Sequence, residues 1–246
     1  MVKENTIIIK NDQIAKDIYE MTLEVNFEAK PGQFINIDVN NAEFLLRRPI
    51  SIANIEGNRL TICYRNVGKG TNELRKKSVG ELVNILGPLG NGFPLVSSQK
   101  VLIVGAGMGV APMYYLAKEL SKNNNQISIV LGYNDDKLAY YTDKFKDFGE
   151  VNIVTMDGSL GKKANVIEFL ENNEIDFNVL YACGPGIVLK SLDQKYQSKK
   201  MGYLSYEERM ACGIGACYGC VIQTNKGLQR VCKDGPIFNL GAVKYE

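Results

Sequence analysis

The sequence predicts an α+β multidomain protein with three parts. They are an N-terminal antiparallel β-barrel over residues 1–98, a central α/β parallel-sheet domain over 99–201, and a small C-terminal domain over 202–246. Three observations predict it. Period-two hydrophobicity fills the first hundred residues. Continuous apolar runs alternate with helix-period stretches in the middle. Glycines and cysteines crowd the end.

In the first region Tyr19, Met21, Leu23, Val25 and Phe27 alternate with mostly polar residues, as a half-buried strand does. Pro31-Gly32 is a turn. Ile35, Ile37 and Val39 alternate again, as do Leu60, Ile62 and Tyr64. Glu81 to Leu86 reads as a further strand ending at Gly87-Pro88. Short strands between turn signals build a small barrel or a sandwich. Three motifs stand out. Arg47-Arg48-Pro49-Ile50-Ser51-Ile52 sits between two strands, with an Arg suited to a diphosphate and a Ser suited to the ring edge of a bound cofactor. Gly68-Lys69-Gly70-Thr71 is a glycine turn able to cradle phosphate. Gly87 to Phe93 is another rigid turn. Each alone also matches an ordinary surface loop.

Near Lys100 the pattern changes. Val101 to Val104 is a continuous apolar run ending in glycines, as a buried parallel strand would. Ile127–Leu131, Val151–Thr155 and Val179–Ala182 read as further strands. Helical patterns cover Val110–Lys122, Ala164–Glu171 and Gly186–Lys199, the last with Leu189, Leu192 and Tyr196 at helix spacing. This alternation is that of a Rossmann-like parallel sheet with crossover helices. Gly105-Ala106-Gly107-Met108-Gly109-Val110-Ala111-Pro112 joins the first strand to its helix. Gly105, Gly107, Gly109 and Pro112 are therefore candidates for holding a dinucleotide pyrophosphate at the helix N-terminus. Val110 stands where the third glycine of G-x-G-x-x-G would be, so a plain tight turn is the alternative. Asp135 and Asp136 follow the second strand, where a carboxylate takes a ribose hydroxyl; this points to NAD over NADP unless they are solvated loop charges. Cys183-Gly184 ends the last strand, at the sheet edge where ligands bind. Cys183 stands beside a nicotinamide or is an inert buried thiol.

Six cysteines are unevenly placed. Cys63 and Cys183 stand alone. Cys212, Cys217, Cys220 and Cys232 follow the C-x4-C-x2-C…C spacing of plant-type 2Fe–2S ligands. Gly213, Gly215 and Gly219 let such a loop curl and bring backbone N–H groups to sulfur. Structural zinc and unligated thiols are the alternatives, but zinc sites usually arrive as two C-x2–4-C pairs. The segment after Met201 is too short for an apolar core of its own and reads as stapled by metal.

Composition excludes several classes. The chain contains no His, which removes imidazole bases, Ser-His triads and His-ligated zinc. A net charge of +2 without a basic run gives no footprint for nucleic acid. There is no membrane-spanning run and no signal-peptide pattern at the start, so a cytoplasmic location is expected.

Taken together, R-P-I-S, G-x-G-T, G-P-L-G-N-G-F, G-A-G-M-G-V-A-P and Y-A-C-G-P resemble the ferredoxin-reductase superfamily. The ending Glu207 to Cys220 resembles the electron-transfer subunits of NAD-dependent (type B) dihydroorotate dehydrogenases. The resemblance implies an oxidoreductase subunit with FAD on the barrel, held by Arg48, Pro49, Ile50, Ser51, Cys63, Tyr64, Arg65, Gly70 and Thr71. It implies NAD on the central domain and a 2Fe–2S cluster on Cys212, Cys217, Cys220 and Cys232. It further implies an FMN-containing dihydroorotate dehydrogenase partner in a heterotetramer of two subunits of each kind, serving pyrimidine biosynthesis. Electrons would run from FMN through the cluster and FAD to NAD, with no acid–base dyad in this chain. The related small subunits of ferredoxin:NADP oxidoreductases and sulfide dehydrogenases are the alternative; there an Asp replaces one cluster ligand, and Cys212 favours the dihydroorotate system.

Overall fold

The structure is a computed structural model that describes residues 1–39 and 43–245. The first region closes into a six-stranded antiparallel barrel of β1 (Val2–Ala15), β2 (Ile18–Glu24), β3 (Phe34–Ile37), β4 (Arg48–Glu56), β5 (Arg59–Arg65) and β6 (Leu82–Leu89). Strand order is β1-β2-β5-β4-β3-β6. The alternation read from the sequence is the inward face. Met21, Leu23, Ile35, Ile37, Leu60, Ile62, Val83 and Ile85 fill the interior, each worth about 1.5–3 kcal/mol when fully buried.

Three local readings are corrected. Strand β1 has no sequence-based counterpart above, because Ile7-Ile8-Ile9 masks the alternation: Ile8 is buried while its neighbours face outward. Strand β6 does not end at Gly87-Pro88 but continues to Leu89. Gly68-Lys69-Gly70-Thr71 is not a free turn but the start of α1 (Lys69–Arg75). Thr71 Oγ1 donates to the Gly68 carbonyl at 3.1 Å and accepts from Gly68 N at 3.2 Å, which fastens that start.

The central region contains β7 (Lys100–Ala106), α2 (Val110–Ser121), β8 (Gln126–Tyr133), β9 (Glu150–Thr155), β10 (Lys162–Lys163), α3 (Val166–Asn172), β11 (Val179–Cys183), α4 (Gly186–Tyr196) and β12 (Met201–Ser205). The last stretch adds a hairpin, β13 (Val221–Thr224) and β14 (Gly227–Arg230), and then β15 (Ile237–Asn239). The large sheet has the order β10-β9-β8-β7-β11-β12-β15, parallel except for β15. The expected boundary between residues 201 and 202 falls inside β12, and β15 returns from the cysteine-rich segment to the same sheet. That segment shares its small core with the barrel: Phe34 and Leu89 pack with Cys220, Val231, Cys232 and Phe238.

Apolar runs in β7 are buried on both faces. Val101 and Ile103 face α2, while Leu102 and Val104 face α3 and α4. Asn165 caps α3 in a reciprocal box with Glu168. Helix α2 is wedged between sheet and barrel. Tyr115 on it joins the barrel core and donates to the Ala29 carbonyl at 2.8 Å, and Lys118 pairs with Glu56 of β4.

Candidate cofactor cavity and thiol cluster

A cavity of about 670 Å³ lies between the barrel and the parallel sheet. Its barrel wall exists because β4 and β5 part. They pair from Ile52–Ile62 to Glu56–Arg59 and no further. Beyond that point Arg48 to Ser51 pair only with β3, and Cys63 to Arg65 pair only with β2. The motif of residues 47–52 therefore does not sit between two strands: Arg47 precedes β4 and Arg48 to Ile52 form its first half. Pro49 is tolerated there because one side of the strand has no β-partner.

Arg48, Pro49, Ile50, Ser51, Cys63, Tyr64, Arg65 and Thr71 all line the cavity. Gly70 does not; it lies buried under the Arg48 guanidinium, which a Cβ there would strike. Arg48 also donates to the Leu46 carbonyl and lies 5.5 Å from the Phe44 ring centre.

The opposite wall is the point where strand order reverses, between β7 and β11, the usual ligand site of an open parallel sheet. Gly107, Gly109, Pro112, Cys183 and Gly184 line it, whereas Gly105 stays within β7 behind Val110. The two turns touch. A Cβ on Gly109 would collide with the Cys183 carbonyl and Gly184 N. Tyr140, which the sequence did not single out, clamps the first turn: its hydroxyl accepts from Ala111 N and reaches the Gly107 and Met108 carbonyls, each at 3.2 Å. Burial pushes the Cys183 thiol up to about 12, against a hydrogen bond with Ser205. It is neutral at pH 7. Asp135 does not line the cavity; its carboxylate accepts from Leu138 N at 3.1 Å as a helix cap. Ser205, Tyr206, Glu207 and Glu208 complete the rim. The two carboxylates there carried no signal beyond the family motif.

Cys63 belongs to a second network. Its thiol donates to the Tyr141 hydroxyl at 3.2 Å, and Tyr141 donates to the buried Glu20 carboxylate. Burial pushes Cys63 up to about 12.

The four late cysteines are joined in two pairs by backbone-to-sulfur hydrogen bonds, Cys217 N donating to Cys212 Sγ and Cys232 N to Cys220 Sγ, each at 3.4 Å. A lone tetrahedral zinc needs all four sulfurs on one centre, whereas two bridged irons each take two thiolates. The pairing therefore fits a two-iron unit. Cys212 Sγ accepts from Ile214 N at 3.5 Å and Cys217 N at 3.4 Å, and Cys217 Sγ from Gly219 N at 3.5 Å. Burial alone would raise the Cys212 thiol, but these N–H groups outweigh it and bring it down to about 6. Cys232 is pushed up to about 12 by burial and by Cys220. Arg230 braces the loop from behind, donating to the Gly215 carbonyl at 2.9 Å, pairing with Asp234 at 3.0 Å and lying 4.8 Å from the Tyr218 ring centre.

A barrel whose split wall faces the switch point of a nucleotide-binding sheet defines a ferredoxin-reductase-type fold. Solved structures agree. A structure of an NADH-dependent reduced ferredoxin-NADP oxidoreductase superimposes with a TM-score of 0.89 at 29% identity, covering 98% of this chain and 90% of that one. A ferredoxin reductase from carbazole 1,9a-dioxygenase gives 0.70 at 17% identity over 80% of this chain and 66% of its own, and shows the fold alone. Residues 207–244 match the family model of the iron-sulfur cluster binding domain of dihydroorotate dehydrogenase B. The dihydroorotate dehydrogenase B (NAD(+)) electron transfer subunit of Bacillus cereus (strain B4264) is 42% identical, with 99% of both chains covered. That of Shouchella clausii (strain KSM-K16) is 43% identical with 96% of each covered. The chain belongs to the family of dihydroorotate dehydrogenase B electron transfer subunits.

Proposed function

We propose that this chain passes electrons from the FMN of a dihydroorotate-oxidising partner, through a 2Fe–2S cluster and FAD, to NAD⁺ in pyrimidine biosynthesis. The observation that carries the reading is the pairing of Cys212 with Cys217 and of Cys220 with Cys232 beside a flavin-sized cavity, in a chain that matches subunits of this name over 99% of its length. The groups supply, when bound, the exchange between a hydride and single electrons.

The chain's own residues do the holding. Arg48 and Arg65 face the cavity with guanidinium groups suited to a diphosphate, and Ser51 offers a hydroxyl to a flavin edge. The Gly107–Gly109 turn and the start of α2 present N–H groups to the pyrophosphate of NAD. Cys183 holds its proton at Sγ beside the nicotinamide position and stays uncharged there. Cys212 and Cys217 would hold one iron, and Cys220 and Cys232 the other. A thiol at position 212, rather than a carboxylate, favours the dihydroorotate system over its ferredoxin-linked relatives.

We place the partner in an assembly of two subunits of each kind, in the cytoplasm. No helix among the described residues is long and apolar enough to cross a membrane. The test is anaerobic purification with assays for iron, sulfide, flavin and zinc. Iron, sulfide and FAD together support the reading, and co-purification with an FMN protein that reduces NAD⁺ with dihydroorotate completes it. Zinc without iron overturns it. Cys217→Ser removes the cluster and leaves FAD on the barrel; loss of both together refutes the separation of the two sites.

A further inference from the structure

Strand β3 stands between the flavin-sized cavity and the thiol cluster, and its side chains alternate between two duties. Ile35 and Ile37 point into the barrel core. Phe34 and Asn36 share the outer face, two residues apart. Phe34 lines the cavity and packs against Cys220 and Cys232. Asn36 meets the other thiol pair: its Nδ2 donates to the Cys212 carbonyl at 3.3 Å. Gly213 lies so close that a Cβ on it would collide with Nδ2.

Asn36 is 1% exposed, and its Oδ1 has no partner. It is the one buried side-chain polar atom left bare among the described residues. An aliphatic side chain would suit this wall, where Phe34, Ile35 and Ile37 are all buried. A buried amide with a bare acceptor is unfavourable unless its donor does something specific. Here the donor reaches across 176 residues to the backbone of a cluster-ligating cysteine.

We propose that Asn36 is a positioning residue for electron transfer: its amide ties the Cys212 loop to the barrel and so fixes the cluster relative to the flavin. Both thiol pairs are then referenced to one short strand, Cys220 and Cys232 through Phe34 and Cys212 and Cys217 through Asn36. A reacting centre is useful only if its support holds it to within about 0.5 Å. The proposal rests on the reading of the four thiols as a 2Fe–2S site.

The experiment uses the holo complex with its partner and compares wild type with Asn36→Ala. Iron and FAD contents are measured first. Removing the tether accelerates loss of iron to a chelator by about tenfold, the factor carried by one buried hydrogen bond. It alters the electron paramagnetic resonance spectrum of the reduced cluster and slows electron transfer from cluster to flavin. FAD release stays as in wild type. Chelator kinetics and spectrum indistinguishable from wild type overturn the proposal. So does an equal acceleration of FAD release, which marks general destabilisation. Asn36→Leu, which keeps the volume and removes the donor without burying a charge, serves where the alanine variant does not fold. Gly213→Ala gives a further check: it should cost less in the Asn36→Ala background, where its Cβ has room. An equal cost in both backgrounds sinks the packing argument. Wild-type protein without iron would refute the cluster itself, an outcome distinct from failure of the tether.

Discussion

At the scale of single residues, the thiol cluster is an arrangement of unequal acids. Cys212 is held near 6 by backbone N–H groups that outweigh its burial, while Cys232 is held near 12. A lowered thiol is charged above its pKa and neutral below it. Cys212 is therefore mostly thiolate at neutral pH, the form in which a cysteine can ligate a metal. In cluster-free protein, alkylation by iodoacetamide should concentrate on Cys212, with its rate half-maximal near pH 6. Peptide mapping by mass spectrometry at pH 5, 6, 7 and 8 checks this. A flat profile, or Cys232 reacting first, would show that the N–H groups do not set the order.

Elements show how much was legible. Period-two and period-3.6 patterns located most strands and every helix of the central sheet, because burial on one face or two leaves a direct trace in hydrophobicity. The cysteine spacing was legible because the plant-type 2Fe–2S pattern joins a tight loop to a returning segment, and residues 207–244 match an iron-sulfur cluster binding domain. What escaped was decided by pairing partners distant in sequence. Arg48 to Ser51 lie in a strand because β3 pairs with them, and line a cavity because β5 leaves them. Gly70 was read as a phosphate turn, but its place is under Arg48. Asp135, read as either a ribose ligand or a solvated loop charge, spends its carboxylate on capping the short turn Asp136–Leu138. Tyr140 holds the glycine turn from a loop with no motif at all.

The contact between the two sheet-edge turns gives a prediction at this scale. Gly109 has an ordinary helical φ of −64°, so alanine there strains no backbone. Its Cβ instead strikes the Cys183 carbonyl and Gly184 N. Gly109→Ala should push the start of α2 away from β11 and destabilise the fold by about 1–3 kcal/mol, as overpacking does. It should raise the KM for NAD⁺ while leaving the FAD absorbance of the purified protein intact. Urea unfolding and steady-state kinetics measure the two effects. A variant with wild-type KM would mean that the two turns do not jointly shape the nucleotide site.

For the whole molecule, the question is what holds barrel and nucleotide domain at one angle, since the cavity is shared between them. Helix α2 supplies apolar contact. Beside the more exposed Lys118–Glu56 pair, the buried charge of the joint is Glu20 of β2, 6% exposed. It accepts from Lys10 at 2.8 Å within the barrel, and from Lys144 at 3.0 Å and Tyr141 across the joint. Burial would raise this carboxyl, yet hydrogen bonds from Lys10, Tyr141 and Lys144 prevail and lower it from 4.5 to about 2. A depressed carboxylate pKa contributes stability that is complete above the unfolded value and fades as pH falls through the folded one. Glu20→Gln should therefore cost about 2 kcal/mol at pH 7, the range of a hydrogen bond to a charged group. Both lysines remain part-exposed and are not stranded by the change. The gap between variant and wild type should narrow from pH 4.5 downward and close near pH 2. Thermal melts of both proteins across that range decide it. A gap independent of pH would mean that packing, rather than charge, holds the joint at Glu20.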